Sequence, residues 1–156
     1  MKKIYLIHGW GGNQNSDVWL DWLKKEGKKR KIDLIIPEMP DTNNPKIDKW
    51  IKKLQEIVDV NYINNSYFVG HSIGCQAIMR YLEKINNKVR GVVFVAGWFH
   101  LVEESYESIK EKEIAKPWID TPINFNKVKS NAVKILALFS SNDDFVPLSD
   151  SKILSA

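Results

Sequence analysis

The amino-acid sequence predicts an α/β fold, in which a mostly parallel central sheet is flanked by helices. Short apolar runs rich in β-branched and aromatic residues alternate with longer amphipathic segments, a pattern typical of this fold class. Each run is almost continuously apolar, as expected for strands that are covered on both faces. The chain has 156 residues, 44% of them hydrophobic, so we expect a single domain over residues 1–156 around one core.

Five strands are predicted, at residues 3–7, 32–36, 66–69, 91–96 and 134–139. The first run is too short for the apolar region of a signal peptide, and it continues directly into a glycine-rich loop after Ile7. The other four are short runs of Ile, Leu, Val and Phe, the composition typical of buried strands.

Helices are predicted between the strands, at residues 16–25, 45–58, 73–85 and 103–112. The evidence is clearest for residues 45–58, where apolar residues recur at helical spacing and Pro45 suits a first helical turn. Those apolar positions, which we assign to the core, are Ile47, Trp50, Ile51, Leu54 and Val58. Residues 148–155 are expected to form the first turns of a further helix.

The segment 97–131 is the least regular part of the chain, because Pro117 and Pro122 interrupt a simple connection from strand to helix. Insertions at this point lie above the carboxyl ends of the strands, where the sites of open α/β sheets form. We consider two interpretations of the segment. It is either a small lid or an ordinary long connection whose aromatic residues Trp98, Phe99 and Trp118 pack onto the body.

Charge and cysteine content limit the classes of partner and compartment. The net charge is +4, and basic residues concentrate in residues 24–31. Such a run can bind nucleic acid, but its position between a predicted helix and a predicted strand favours a solvated helix end. Cys75 is the only cysteine, which excludes an intrachain disulfide and fits a reducing compartment. No apolar run approaches the roughly 18 residues that span a bilayer, so we expect a cytoplasmic location without nucleic-acid or membrane partners.

The sequence Gly70-His71-Ser72-Ile73-Gly74 lies between a predicted strand and a predicted helix. A serine at a sharp turn from strand to helix is the context in which G-x-S-x-G forms the nucleophile elbow of α/β-hydrolases. The flanking glycines are a steric requirement, since side chains there would strike the neighbouring strand or helix. Ser72 is therefore the predicted nucleophile, and the predicted fold is an α/β-hydrolase.

A serine nucleophile needs a base to take its proton and an acid to orient that base. In α/β-hydrolases the acid follows the serine along the chain, and the histidine follows the acid. Asp143 comes soon after a predicted strand, in a D-x-x-V-P arrangement, and is the preferred acid, with Asp144 as its solvent-facing neighbour. The alternative is that both are loop acids that favour a turn.

Two backbone N–H groups are predicted to stabilise the oxyanion that attack on a carbonyl produces. One is the amide of Ile73, directly after the nucleophile and at the positive end of the following helix. The other is the amide of Trp10, in the loop His8-Gly9-Trp10-Gly11-Gly12. A phosphate cradle in this loop is disfavoured, because the loop lacks the G-x-G-x-x-G order and the P-loop lysine.

The base is the part of the triad that the sequence does not place. The histidines are His8, His71 and His100, and all of them precede Asp143. His8 and His71 are expected to be structural or to line the site. His100 is a weak candidate near the mouth of the site.

Four segments together resemble the small serine hydrolases of the retinoblastoma-binding protein 9 family: the loop 8–12, Met39-Pro40-Asp41, the elbow 70–74 and the loop 140–147. The resemblance covers essentially the whole chain. It implies a compact α/β-hydrolase with Ser72 as nucleophile, Asp143 as triad acid and carboxylester hydrolysis as activity. The family carries a further C-terminal helix, a final strand and a Gly-His pair that supplies the base, together about 30 residues. We therefore expect either a segment beyond Ala156 or a truncated form of the protein.

These observations predict a serine hydrolase of the carboxylesterase type, which cleaves small esters through an acyl-serine intermediate and uses no metal or organic cofactor. Trp98 and Phe99, together with Trp10, are predicted to form an apolar wall for the acyl group. There are two alternatives. One is a non-catalytic module of the same fold that lacks the triad histidine and binds a protein partner. The other is a flavodoxin-like nucleotide binder that contacts its ligand through residues 9–12.

Overall fold

The structure, a computed structural model, describes residues 2–13, 15 and 18–155. Its centre is a five-stranded sheet with the strand order β2-β1-β3-β4-β5, in which every pairing is parallel. The strands are β1 Lys3–Ile7, β2 Asp33–Ile35, β3 Ser66–His71, β4 Gly91–Val95 and β5 Ile135–Leu138. The predicted fold class, a parallel sheet flanked by helices, is confirmed.

Six α-helices are described around this sheet. They are α1 Val18–Lys29, α2 Ile47–Ile57, α3 Ile73–Leu82, α4 Ile109–Asp120, α5 Phe125–Ser130 and α6 Asp150–Ser155. Short 3-10 turns cover Val60–Asn65 and Glu103–Ser105. In the part of the chain that the structure describes, no helix is both long and apolar enough to cross a membrane.

Most element boundaries agree with the predictions to within a few residues. The predicted start of the first helix at Ser16 lies outside the described residues, and its end extends from Lys25 to Lys29. The basic residues from Lys28 to Lys31 are exposed at and just beyond this helix end, as expected for a solvated run. β3 continues two residues beyond the predicted end because its ladder with β4 runs on to the pair His71 and Val95.

The predicted helix 103–112 is wrong. A 3-10 turn occupies Glu103–Ser105, and α4 begins only at Ile109. The start is set by Ser108, whose Oγ accepts the Glu111 N–H at 3.3 Å, while Glu111 Oε2 accepts the Glu107 N–H at 2.7 Å. This reciprocal capping overrides the helical composition upstream of it. Pro117 does not end the helix either, since α4 continues to Asp120.

The main core lies between the sheet and the helices α2 and α3. Trp50 and Leu54 from α2 and Ile78 from α3 are fully buried there, with Phe68 of β3 and Phe94 of β4. A smaller cluster, formed by Leu6, Leu20 and Ile36, packs α1 against the opposite face. Because all strands run parallel, their carboxyl ends lie at one edge of the sheet, where the site is expected.

β5 departs from the prediction that each strand is covered on both faces. It lies at one edge of the sheet, and Leu136 and Leu138 are 54% and 48% exposed. An almost continuously apolar run therefore does not prove that a strand is covered on both faces of the sheet. The run is long enough to pair with β4, but its outward side chains reach solvent.

An ion pair connects the start of β1 to the segment that follows α2. Lys3 Nζ lies 2.9 Å from Asp59 Oδ2, and Asp59 Oδ1 accepts the Asn61 N–H at 3.0 Å. The hydrogen bond from Lys3 is the main cause that lowers the pKa of Asp59 from its ordinary value of 3.8. The same bond raises the pKa of Lys3 from 10.5.

We expect the substitution Asp59→Asn to lower the free energy of unfolding slightly at pH 7 and less as the pH falls. Because the pKa of Asp59 is depressed in the folded state, its stabilisation is present above the unfolded pKa and is lost as the pH falls through the folded pKa. The pair is solvent-accessible, so the effect is small. Urea titrations of both proteins, from pH 7 to the lowest pH at which they stay folded, measure it. A constant difference across this range would contradict the expectation.

Candidate active site

Ser72 occupies the turn between β3 and α3 in a strained conformation. Its φ is 53° and its ψ is −124°, a region that side chains other than glycine rarely adopt and that marks functional turns. The Ser72 N–H donates to the Val95 carbonyl at 2.9 Å, which extends the sheet pairing to the nucleophile position. This is the geometry expected of a nucleophile elbow.

The elbow glycines are required by close backbone approaches. A Cβ on Gly74 would lie 2.3 Å from the Ile7 carbonyl oxygen, and one on Gly70 would lie 2.7 Å from Cys75 Cα. Atoms cannot approach so closely without a shift of the backbone. The steric requirement inferred from the sequence thus holds at both positions.

Cys75 lies three residues after Ser72 and is the other nucleophilic side chain of the elbow. Its thiol donates to the Val95 carbonyl at 3.4 Å, and burial raises the pKa of the thiol. A thiol that stays protonated and buried is a poor nucleophile. The chemistry of this turn therefore falls to the Ser72 hydroxyl.

The loop after β1 approaches Ser72 closely. A Cβ on Gly9 would lie 3.4 Å from Ser72 Cβ, so the backbone of this loop borders the nucleophile. Within the described residues, neither the Trp10 N–H nor the Ile73 N–H donates to another group. The Ile73 N–H has no acceptor inside its own helix because α3 begins there. Both N–H groups therefore have no acceptor among the described residues, as their predicted role requires.

A cavity of about 540 Å³ lies over Ser72. Its walls include the aromatic side chains of Trp10, Trp98, Tyr106 and Phe145. Residues of the segment 97–131 supply much of the remaining lining, among them Leu101 and Ile114. Part of this segment therefore lies over the nucleophile, a feature of the lid interpretation. Trp98 and Trp118 are also buried against the body, a feature of the interpretation as a long connection.

The Ser72 hydroxyl oxygen accepts a hydrogen bond from the Trp98 indole, with Nε1 3.1 Å from Oγ. Trp98 also lines the cavity, as predicted for a residue of the acyl wall. Phe99 is placed differently: its ring packs edge-on against Phe125 at 5.4 Å between centroids. Phe99 is not among the described residues that line the cavity, so we omit it from the acyl wall proposed below.

Asp143 lies beside the cavity, on the loop that follows β5. Its Oδ1 accepts the N–H groups of Phe145 and Val146, each at 2.9 Å. It lines a shallow depression together with Phe145, which also lines the cavity over Ser72. Asp143 is half-buried, whereas its neighbour Asp144 is exposed to solvent, as predicted.

The three histidines occupy different positions around the site. His8 is buried, and its Nδ1 donates to the Gly9 carbonyl at 2.9 Å, which holds the loop after β1. His71 lines the cavity, with its ring edge-on to Trp19. His100 is exposed, and its Nδ1 lies 2.8 Å from Asp150 Oδ1. His100 is not among the described residues that line the cavity over Ser72.

Asp150 is a residue near the site that sequence reasoning missed. It is 1% exposed, and its Oδ2 accepts the N–H groups of Phe99 at 2.6 Å and His100 at 2.8 Å. The carboxylate therefore fixes the loop after β4 to the start of α6. Its only signal in the sequence is an acid at a helix start, which is too common to identify it.

The chain is similar to a known protein family and to known hydrolases. The model of the family described as "Serine hydrolase" matches residues 4–156. The putative hydrolase YdeN of Bacillus subtilis (strain 168) is 27% identical over 156 residues, which cover 99% of this chain and 77% of YdeN. The serine hydrolase RBBP9 of Rattus norvegicus is 22% identical, over 94% of this chain and 74% of RBBP9.

The crystal structure of the ydeN gene product from B. subtilis superposes with a TM-score of 0.81 and covers 99% of this chain and 80% of that one. The predicted resemblance to the retinoblastoma-binding protein 9 family is confirmed by the relationship to RBBP9. The predicted class of function, a serine hydrolase, is confirmed by the family match. Since that match covers nearly the whole chain, including the elbow serine, this protein belongs to the serine hydrolase family.

Proposed function

We propose that this protein hydrolyses small carboxylic esters through an acyl-serine intermediate on Ser72. One observation carries the proposal: the strained Ser72 lines a cavity, and the N–H groups of its neighbour Ile73 and of Trp10 have no acceptor among the described residues. A hydroxyl with two free backbone donors beside it matches the requirements of acyl transfer. The family relationship supports the same chemistry.

The proposed reaction begins when Ser72 Oγ attacks the carbonyl carbon of the ester. The hydroxyl proton passes to a general base, the role for which the chain order of α/β-hydrolases provides a histidine. The carbonyl oxygen takes the electron pair of the π bond, and the N–H groups of Ile73 and Trp10 stabilise its charge. The intermediate then expels the alcohol, which leaves with the proton from the base. Water repeats the sequence and releases the acid.

Asp143 is proposed as the acid that orients the base and stabilises its positive charge. Two backbone N–H groups donate to its Oδ1, so the carboxyl group is held in a fixed position on the loop after β5. Its position beside Phe145, at the border of the cavity, supports this role.

The substrate class is proposed from the size and lining of the cavity. A volume of about 540 Å³ accommodates a small molecule. The aromatic residues Trp10, Trp98, Tyr106 and Phe145 offer apolar surface to an acyl group. The proposed partner is therefore a small-molecule ester. We also propose a cytoplasmic location, which the single buried Cys75 supports.

Labelling with a fluorophosphonate tests the proposed nucleophile, since this probe phosphonylates activated serines with loss of fluoride. Peptide mapping by mass spectrometry is expected to find one adduct, on Ser72. The map is discriminating because Ser105 and Ser108 line the same cavity. The control variant Ser105→Ala is expected to label like the unmodified protein. An unlabelled protein, or an adduct only on Ser105 or Ser108, would refute the role of Ser72 and favour a non-catalytic binding module.

A further inference from the structure

We propose that Trp98 is a positioning residue for the Ser72 nucleophile and that Gln76 and Arg80 of α3 hold Trp98 in place. The proposal rests on the proposed function, because it assigns a role to Trp98 only if Ser72 attacks the substrate. In this proposal a chain of hydrogen bonds connects the end of α4 to the nucleophile through the side chains of Gln76 and Arg80 in α3.

The first link is the hydrogen bond from Trp98 Nε1 to Ser72 Oγ, at 3.1 Å. Trp98 is 1% exposed, so its indole has little freedom to leave this position. A serine hydroxyl has one proton to donate and two lone pairs to accept with. With the indole N–H on one lone pair, the hydroxyl proton remains for the base and the other lone pair remains for attack. The indole thus selects an orientation of the hydroxyl without consuming what the reaction needs.

The second link fixes the backbone of Trp98. Gln76 is fully buried, and its Nε2 donates to the Trp98 carbonyl at 2.9 Å. Its Oε1 lies 3.0 Å from Arg80 Nη2. Because a guanidinium only donates, the amide oxygen of Gln76 must face Arg80 and the amide nitrogen must face Trp98. The orientation of this side chain is therefore determined by its partners.

The third link ties Arg80 to the end of α4. Arg80 Nη2 also lies 3.0 Å from the Trp118 carbonyl oxygen and 2.7 Å from that of Thr121, and Nη1 lies 3.4 Å from that of Pro122. Arg80 is 3% exposed. Carbonyl groups at a helix C-terminus attract a cation, so the guanidinium caps the C-terminus of α4 by donating to these carbonyls. Residues nearer the start of α4, such as Ile114, line the cavity over Ser72.

During attack the Ser72 oxygen gains negative charge as its proton departs, and the indole N–H then becomes a donor to a partly charged acceptor. Such hydrogen bonds are stronger than neutral ones. The same N–H stabilises Oγ when it leaves again during hydrolysis of the acyl-serine. The indole itself takes no proton, because it is only a donor. Through this N–H group Trp98 acts on the rate of the chemical steps, whereas its ring offers apolar surface to the acyl group.

The first test is the variant Trp98→Phe, which keeps an aromatic ring and removes the N–H group. We expect kcat for a small ester, and the rate constant of fluorophosphonate labelling, to fall about 10- to 100-fold, with KM changed less than about threefold. Trp50→Phe is the matched control. Trp50 is also buried, but its indole donates to the Pro40 carbonyl at 2.8 Å and not to Ser72. We therefore expect the Trp50→Phe variant to hydrolyse esters and to be labelled at the unmodified rates per folded molecule.

The second test is a double-mutant cycle with Gln76→Glu. A glutamate at this position still accepts from Arg80 but has no N–H group for the Trp98 carbonyl. We expect Gln76→Glu to slow labelling about tenfold in the unmodified protein and less than about twofold when Trp98→Phe is present. Additive effects would overturn the role of Gln76, because a merely structural residue lowers the rate equally in both backgrounds.

A third measurement detects the hydrogen bond between Trp98 and Ser72 without a substitution at Trp98. In protein labelled with ¹⁵N-tryptophan, the variant Ser72→Ala is expected to shift one protected indole N–H resonance and to speed its exchange with deuterium. Unchanged indole resonances, or Trp98→Phe protein that labels at the unmodified rate, would overturn the inference while the function stands. Failure of the unmodified protein to label at Ser72 would instead overturn the proposed function.

Discussion

Replacing Ser72 with alanine is expected to lower kcat/KM for small esters on the order of 10⁶-fold. The substitution removes the atom that forms the acyl intermediate, and the remaining oxyanion donors accelerate only direct attack by water. The fold is expected to persist. The loss of the hydrogen bond from the Trp98 indole leaves a buried donor without its acceptor, which costs about 1 to 3 kcal/mol. Steady-state hydrolysis of an activated ester, with circular dichroism as a check on folding, measures both effects.

Ser108→Ala is the control for this experiment, since Ser108 lines the same cavity and caps α4 without contacting the proposed reaction centre. Its activity per folded molecule is expected to remain near that of the unmodified protein. A Ser72→Ala variant that retains more than about a hundredth of the activity of the unmodified protein would contradict the proposed mechanism, because the oxyanion donors alone cannot supply so much. In that case the cavity would have to act through another nucleophile.

The substitution Gly74→Ala is expected to lower the free energy of unfolding by about 4 kcal/mol or more, which is a large part of the roughly 5 to 15 kcal/mol that native proteins have. The added Cβ would lie 2.3 Å from the carbonyl oxygen of Ile7 and 2.8 Å from that of His8. Both contacts are with backbone, so no side chain can rotate away to make room. Either α3 or β1 must shift, and both are packed into the main core. Urea unfolding followed by circular dichroism measures the loss.

Gly27→Ala is the matched control for this prediction. Gly27 lies within α1, and the nearest atom to its added Cβ is Leu34 Cβ at 3.6 Å, an ordinary contact. Alanine in a helix interior is favoured over glycine, so we expect the free energy of unfolding to rise by about 0.5 to 1 kcal/mol. Equal effects of the two substitutions would show that the close approach at Gly74 does not govern stability.

Much of the fold could be predicted because its signals are local. The run Lys3–Ile7 and the stretch around Phe68 carry the apolar character of buried strands, and the spacing of Trp50, Ile51 and Leu54 marks a helix. Where a boundary depended on one capping interaction, as at Ser108, prediction from composition placed the helix several residues too early. The prediction that β5 is covered on both faces is also wrong, because the residues of a strand do not specify whether it lies at the centre or at the edge of the sheet.

The sequence by itself determined the elbow, since Gly70, Ser72 and Gly74 must stand at fixed spacing for the turn to form. It also predicts Asp143 as the acid and the amides of Ile73 and Trp10 as the oxyanion donors, and these roles stay predictions. Only the tertiary structure decided that the Trp98 indole donates a hydrogen bond to the Ser72 oxygen and that Arg80 caps the C-terminus of α4. The reason is physical: a turn is specified by neighbours along the chain, whereas a hydrogen bond between distant residues depends on how the whole core packs.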